Sequence, residues 1–336
     1  MKPFTRSSSP FVRLDYADCK YPPCDKVKRA IIEELNRINL YPDENYERLR
    51  REIATYNNVN KKNILVTNGS DELVDLIVRG FGKTVLIPIP TFSQYERFAR
   101  INGSKIILRN CLENEYSIKF TEDDLKKATL IFICNPNNPT GNLIPKEQIL
   151  RITKNTNAVV AVDECYFEYC DVTCSDFVGE YDNLIVLRSL SKTFALAGLR
   201  LGYAISNKEI IKKLEGMKQV FNVNKLAEAA GIASLRNLQY YKDTIRKIEK
   251  SRSKLERFLK KKKIKTFPSC TNFLLTKLDN EKESMFLYEE LKKRRICVFL
   301  GSSPDFSGLD DSFIRITIGT KKQNDYLLKN LKEICR

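Results

Sequence analysis

The sequence predicts an α/β protein with a mostly parallel, seven-stranded sheet flanked by helices, followed by a smaller α+β module. Three observations carry that expectation. Seven short apolar runs recur through the first two thirds of the chain, amphipathic stretches lie between several of them, and beyond about residue 207 the texture changes to long, charged helical patterns. Strands that alternate with helix-period segments are the pattern of a sheet covered by crossover helices.

The runs are 63–67 (NILVT), 84–89 (TVLIPI), 105–108 (KIIL), 129–134 (TLIFIC), 158–162 (AVVAV), 184–187 (LIVL) and 201–205 (LGYAI), and all read as buried strands. The helical signal is clear after Gly69 and Ser70, where Leu73, Leu76, Ile77, Gly80 and Phe81 make one face. Farther on, helices are expected at 208–217, 225–236 and 240–263, a strand at 272–276 and a helix near 283–294. Strands at 296–300 and 313–318 and a closing helix from about 322 complete the chain. The expected division is a large domain of residues 36–223 and a small domain formed by 1–35 with 224–336. No Gly/Ser-rich linker separates them, which predicts a rigid join through a helix.

Composition narrows the function. At 336 residues and 42% apolar content the chain can bury a substantial core. No stretch approaches the ~20 apolar residues of a membrane span. The basic start MKPFTRSSSP has no apolar segment behind it, so a cytoplasmic protein with no membrane partner is expected. Ten cysteines, scattered from Cys19 to Cys335 without a paired framework, read as reduced thiols. Cys165, Cys170 and Cys174 lie closest together but lack metal-ligand spacing, so no metal is expected. Histidine is absent, which excludes His-based triads, His metal sites and a His general base. Proton transfer near neutral pH then falls to another group with a shifted pKa, and a lysine is the natural candidate. The formal charge of +16 favours anionic partners. Its lysines are spread over helical surfaces such as 242–265 and do not alternate with aromatics, so small phosphorylated or carboxylated substrates are expected rather than nucleic acid.

Five segments carry chemistry, each placed where ligands bind in an open α/β sheet. Asn68-Gly69-Ser70-Asp71-Glu72 lies between a strand and a helix. Glycine permits close backbone approach and a helix N-terminus offers unpaired N–H groups to a phosphate, although Ser and Asp are also ordinary helix caps. Asn135-Pro136-Asn137-Asn138-Pro139-Thr140-Gly141 follows LIFIC, and its prolines stiffen the backbone around two adjacent amides. Asp163-Glu164-Cys165-Tyr166 follows AVVAV; a carboxylate there needs a cation, and a protonated ring nitrogen would serve. Ser189-Leu190-Ser191-Lys192-Thr193-Phe194 runs on to Ala197-Gly198-Leu199-Arg200-Leu201-Gly202-Tyr203, a lysine and an arginine among hydroxyls and glycines. The plainer reading is a surface loop with one lysine. Phe313-Ile314-Arg315-Ile316-Thr317 sets an arginine inside an apolar strand, where it could equally be a salt-bridged strand residue.

Together these segments resemble the class I/II aminotransferases of pyridoxal-phosphate (PLP) fold type I, and within them the histidinol-phosphate aminotransferase group. NPNNPTG, VDECYFEY, SLSKTFALAGLRLGY and RITIGT stand in the family's order at nearly its spacings, and the resemblance runs from about residue 25 to the C-terminus. It implies a PLP-binding large domain whose catalytic residues are Lys192, Asp163 and Tyr166. Lys192 would hold the cofactor as a Schiff base and, once displaced by substrate, shuttle a proton, in keeping with the absence of histidine. Asp163 would pair with the pyridinium nitrogen and keep the ring an electron sink. Asn138 and Tyr166 would hydrogen-bond the phenolate oxygen, and Tyr95 would stack on the ring. The phosphate would be held by Gly69, Ser70 and Asp71 through N–H groups and by the side chains of Ser189, Ser191 and Arg200. Tyr41 would reach the phosphate of a neighbouring subunit, which implies a homodimer, and Arg315 would grip the substrate α-carboxylate.

The implied reaction is transamination between a small-molecule amino donor and a 2-oxo acid: L-histidinol phosphate with 2-oxoglutarate, in histidine biosynthesis. Two departures bear on the substrate. The family's Asn-Glu-Asn-Pro-like segment is replaced by Tyr16-Ala17-Asp18-Cys19-Lys20-Tyr21-Pro22, and Phe299, Leu300 and Gly301 stand where an arginine for a substrate phosphate is common. Arg294 and Arg295 lie close but read as helix-end residues facing solvent. Phe306-Ser307-Gly308-Leu309-Asp310-Asp311 is also similar to the threonine-phosphate decarboxylases of cobalamin synthesis, and an aromatic amino-acid aminotransferase would use the same scaffold. A catalytically silent, PLP-binding regulatory domain is the reading from a different class. Against it, every cofactor position is filled by a competent residue.

Overall fold

The computed structural model describes residues 11–112 and 116–335, so the basic start MKPFTRSSSP lies outside the described residues. The chain opens with β1 (Val12–Arg13), α1 (Asp25–Leu35), α2 (Glu47–Asn57), β2 (Ile64–Thr67) and α3 (Gly69–Phe81). It continues through β3 (Thr84–Ile89), β4 (Thr91–Phe92), α4 (Gln94–Ile101), β5 (Lys105–Asn110), α5 (Glu122–Lys127) and β6 (Leu130–Cys134). Next come α6 (Lys146–Lys154), β7 (Val159–Asp163), β8 (Leu184–Ser189), β9 (Gly202–Ser206), α7 (Lys208–Glu215), α8 (Lys225–Leu235) and α9 (Leu238–Lys261). The last part holds β10 (Lys265–Thr266), β11 (Phe273–Lys277), α10 (Glu281–Lys293), β12 (Ile296–Cys297), β13 (Phe299–Leu300), β14 (Phe306–Ser307), β15 (Phe313–Thr317) and α11 (Lys321–Ile334).

The seven expected runs form one sheet in the order β2-β9-β8-β7-β6-β3-β5. Neighbours from β8 to β5 are parallel, whereas β9 is antiparallel to both β8 and β2. No α-helix lies between Ser189 and Gly202 to carry the chain back across the sheet, so β9 returns beside β8 in the opposite sense. Side chains alternate between two cores. Val66, Leu86, Ile131, Ile133, Val160 and Val186 pack on the face that holds α2 and α8. Leu65, Val85, Ile87, Phe132, Ala161 and Leu187 pack on the face that holds α3, α4 and α7.

A second sheet, β10-β11-β15-β13, packs with α9, α10 and α11 around Leu255, Phe273, Leu291, Ile314 and Leu327. The expected strand at 296–300 is two strands. Val298 separates β12, which pairs in parallel with β1, from β13, which pairs with β15.

The packing crosses the boundaries expected at 35/36 and 223/224. Val27 of α1 and Ala227 and Ala230 of α8 belong to the core of the large sheet, while Leu14 and Ala17 join the core of the small one, together with Tyr166 and Tyr169. Small residues explain why α8 seats so closely: a Cβ on Gly231 would lie 2.5 Å from Leu201 and 3.1 Å from Leu49. The change of charge texture beyond about residue 207 marks exposed faces, and apolar contact decides membership of a core. Among the described residues, no helix is long and apolar enough to cross a membrane.

Candidate active site

The strands β2, β3, β6, β7 and β8 run in one sense, so their C-terminal ends share one edge of the sheet, and the loops that carry chemistry leave from that edge. Lys192 stands on the loop after β8, half-buried, with Nζ 5.5 Å from the centroid of the Tyr166 ring. Burial pulls its amine below the ordinary lysine range, and Arg315 acts in the same direction, while Cys165, Asp18 and Asp71 oppose them. A lysine so placed is more readily neutral and nucleophilic.

Asp163 ends β7 and is 5% exposed. Its Oδ2 accepts from the Tyr95 hydroxyl at 2.5 Å and its Oδ1 from the Cys165 N–H at 3.0 Å. Each oxygen keeps further acceptor capacity for a cationic N–H. In the loop after β6, the asparagines divide the work. Asn135 bonds Ile144 through both ends of its amide, and Asn137 donates to the Pro90 carbonyl at 3.0 Å, so these two shape the loop. Asn138 accepts from Arg315 Nη1 at 2.7 Å, which turns its NH2 away as a donor for something else. Tyr166 is buried edge-on against Phe273; burial pushes its phenol well up, opposed by Arg315 beside it.

Arg315 lies in the middle of β15. Its second Nη donates to the Asp15 carbonyl at 2.7 Å, and the guanidinium lies over Phe306, Phe273 and Phe299, at 4.7, 5.0 and 5.3 Å from their centroids. The direct partners of this cation are neutral oxygens, because the Asp15 carboxylate pairs with Arg13. The salt-bridged reading of an arginine in a strand therefore fails here, and the positive charge remains open to an anion.

The segment expected to cradle a phosphate is built by close approach. Gly69 has φ +78°, and a Cβ on it would lie 2.6 Å from Arg200 Nη2. A Cβ on Gly202 would lie 2.7 Å from the Gly69 carbonyl carbon and 2.8 Å from the Ser70 nitrogen. Arg200 in turn donates to Asp71 at 2.7 Å, and Ser189 accepts the Ser191 N–H at 3.2 Å. The Ser191 hydroxyl is buried and has no partner among the described residues. Together with the first-turn amides of α3, which face no earlier turn, these groups suit an anion.

One expected position comes out differently, and Tyr41, expected to serve a neighbouring subunit, stands apart within its own chain. Tyr95 does not offer a ring to a ligand: it is fully buried, stacked on Phe132 at 4.6 Å, with its hydroxyl on Asp163. The aromatic that this segment leaves half-exposed is Phe92, edge-on to Tyr95 at 5.7 Å. Two aromatics three residues apart look alike in sequence, and only the β4-to-α4 turn decides which is covered. Tyr41 is not gathered with the others: it is 78% exposed and stacks on Phe221. The remaining positions — Gly69, Ser70, Asp71, Asn138, Asp163, Tyr166, Ser189, Ser191, Lys192, Arg200 and Arg315 — lie on the strand-end loops, the start of α3 and the facing strand β15.

Sequence reasoning missed the pair beneath the site. Arg188, inside the apolar run LIVLRS, bonds Glu164 at 2.7 Å with both side chains buried. Glu164 also accepts from Thr173 and the Cys174 N–H, and Arg188 lies over the Phe167 ring at 3.5 Å. The pair ties the ends of β7 and β8, which carry Asp163 and Ser189. Its signal was a charge of each sign at the ends of neighbouring buried strands. Of the three positions where an arginine is common, Gly301 has no room for one: a Cβ there would lie 1.9 Å from the Asp310 carbonyl oxygen. Arg294 stands at the end of α10, partly covered and paired with Glu290.

The aminotransferase class I and II family model matches residues 9–331. The histidinol-phosphate aminotransferase of Methanocaldococcus jannaschii is 37% identical over 335 residues, 96% of this chain and 89% of that protein. The crystal structure of the histidinol-phosphate aminotransferase from Clostridium acetobutylicum superposes with a TM-score of 0.88 at 29% identity, covering 96% of this chain and 98% of that one. The enzyme of that name from Sinorhizobium meliloti, solved with pyridoxal 5'-phosphate, shares the fold, with a TM-score of 0.87 at 22% identity over 96% of this chain and 90% of that one. The open Arg315, the Gly69–Gly202 contact and the unpartnered Ser191 hydroxyl fit such a cofactor and an anionic substrate. This chain belongs to the class I and II aminotransferases and is a PLP-dependent enzyme.

Proposed function

We propose that the protein transfers the amino group of L-histidinol phosphate to 2-oxoglutarate, a step of histidine biosynthesis, as a cytoplasmic homodimer. The observation that carries the substrate class is Arg315, a buried cation whose direct partners are neutral oxygens. It would hold the phosphate of the donor in one half-reaction and the α-carboxylate of the 2-oxo acid in the other. The relative from Methanocaldococcus jannaschii supports the donor.

Bound PLP supplies an electron-accepting ring and a carbon that carries the amino group between the half-reactions. Lys192 would hold it through its amine and, when released by substrate, move the proton at the substrate Cα. Asp163 would face the ring nitrogen, and the Asn138 NH2 and the Tyr166 hydroxyl the phenolic oxygen. The amides of Gly69, Ser70 and Asp71, with Ser189, Ser191 and Arg200, would take the phosphate. The ring would rest against Phe92, in the place first given to Tyr95.

Tyr41 would serve a second copy. It stands among exposed apolar residues, Ile32, Leu35, Ile38 and Leu40, a ridge that association would cover. Mixing Tyr41→Ala with Lys192→Ala and letting subunits exchange should restore part of the activity, because one composite site carries neither defect. Confirmed exchange with no recovery refutes the shared site. The substrate is tested with purified enzyme and PLP against histidinol phosphate, threonine phosphate and aromatic amino acids, assaying both 2-oxo product and carbon dioxide. Carbon dioxide from threonine phosphate, or no turnover of histidinol phosphate, overturns the reading.

A further inference from the structure

Behind Asp163 lies a buried group that no step above uses. The Tyr95 hydroxyl reaches Asp163 Oδ2 at 2.5 Å from a ring that is fully enclosed and stacked on Phe132 at 4.6 Å and 9°. On the other oxygen, the Cys165 N–H donates at 3.0 Å. Two donors, one on each oxygen, fix the plane of the carboxylate and take up part of its charge. Burial, with Asp163 beside it, holds the Tyr95 phenol well above its ordinary range, so at any working pH it is a donor to the carboxylate and never an acceptor from it. Neither ring nor hydroxyl has room to turn away, since Tyr95 stands on α4 and packs onto β6 with no exposed surface.

We propose that Tyr95 is a positioning residue whose hydroxyl governs how firmly Asp163 draws on the proton of the cofactor's ring nitrogen. A carboxylate oxygen that already accepts a short hydrogen bond competes less for a second proton. With Tyr95 in place, the proton stays on the ring nitrogen and the ring keeps its full electron-withdrawing power. Without it, Asp163 takes a larger share of that proton, the ring accepts electrons less readily, and proton removal at the substrate Cα slows. The inference rests on the reading of Asp163 as the partner of the ring nitrogen.

The experiment uses the PLP-loaded enzyme and titrates its visible absorbance with pH. Tyr95→Phe removes one oxygen and leaves the stack on Phe132. Its absorbance midpoint should move to higher pH by about one unit, a tenfold change in proton affinity. Turnover should fall about tenfold with little change in KM, because the effect lies on the chemical step. Phe132→Leu disturbs the same stack without touching the hydroxyl; it should lower the urea midpoint and leave the absorbance midpoint in place. Should Tyr95→Phe fail to fold, 3,5-difluorotyrosine at position 95, a stronger donor, must move the absorbance midpoint to lower pH. An unmoved midpoint in either Tyr95 variant, or a Phe132→Leu shift equal to that of Tyr95→Phe, overturns the proposal. Asp163→Asn separates the two readings: if it too leaves the titration unchanged, the pairing of Asp163 with the ring nitrogen fails, and if it alone shifts the titration, only the role of Tyr95 fails.

Discussion

Gly202→Ala is a one-carbon test of the phosphate cradle. The added methyl would lie 2.7 Å from the Gly69 carbonyl carbon, 2.8 Å from the Ser70 nitrogen and 3.1 Å from the Gly69 carbonyl oxygen. Comfortable carbon contacts begin near ~3.5 Å, so the start of β9 and the first turn of α3 must part by roughly 0.7 Å. The obstacles are backbone atoms, which cannot rotate aside. Forced overpacking of this kind costs about 1–3 kcal/mol. Because the displaced atoms belong to the very amides assigned to the phosphate, much of that cost should appear as weaker cofactor binding, about tenfold to a hundredfold. Apoenzyme titrated with PLP, followed by absorbance, measures the dissociation constant, and urea unfolding of the same samples separates binding from stability. Gly198→Ala is the control, since nothing lies within 4 Å of its missing Cβ. Equal PLP affinity in Gly202→Ala and wild type would refute the assignment of the phosphate to the N-terminus of α3.

Three further outcomes follow from the site. Lys192→Ala should abolish the borohydride-reducible link to the cofactor while keeping the wild-type urea midpoint; turnover without added amine contradicts the assignment. Arg315→Met removes a positive neighbour that holds the Lys192 amine below its ordinary range, so the pKa of that amine rises. Cofactor uptake needs the neutral amine, so the acid limb of its rate profile should move to higher pH; a move to lower pH, or none, shows that Arg315 does not act on Lys192. Arg188→Met strands the buried Glu164 and should cost about 3–5 kcal/mol in urea unfolding. The double variant with Glu164→Gln should recover part of it, and a single-variant loss below about 1 kcal/mol would show that Thr173 and the Cys174 N–H suffice for the carboxylate.

The sequence by itself determined the large sheet and the ingredients of the site. Runs such as LIFIC and AVVAV are too apolar and too short for anything but strands buried on both faces, and β6 and four residues of β7 are buried accordingly. Asp163, Asn138 and Lys192 stood out as a carboxylate after a buried strand, an amide between two prolines and a lysine among hydroxyls and glycines, and the resemblance supplied the roles proposed for them. What the tertiary structure alone decided are questions of which neighbour covers which group. Tyr95 is closed off beneath the site and Phe92 is not, a difference that the two residue types do not announce. Arg188 became a partner of Glu164 only when β7 and β8 were laid side by side. Arg315 escaped the salt bridge expected of a strand arginine because Asp15 presents its carbonyl and gives its carboxylate to Arg13. The helix α8 joined the large core because Gly231 lets it approach Leu201. Periodicity and motif are local and survive in one dimension, whereas the cover over a ring and the partner of a charge are contacts between distant segments, settled by packing.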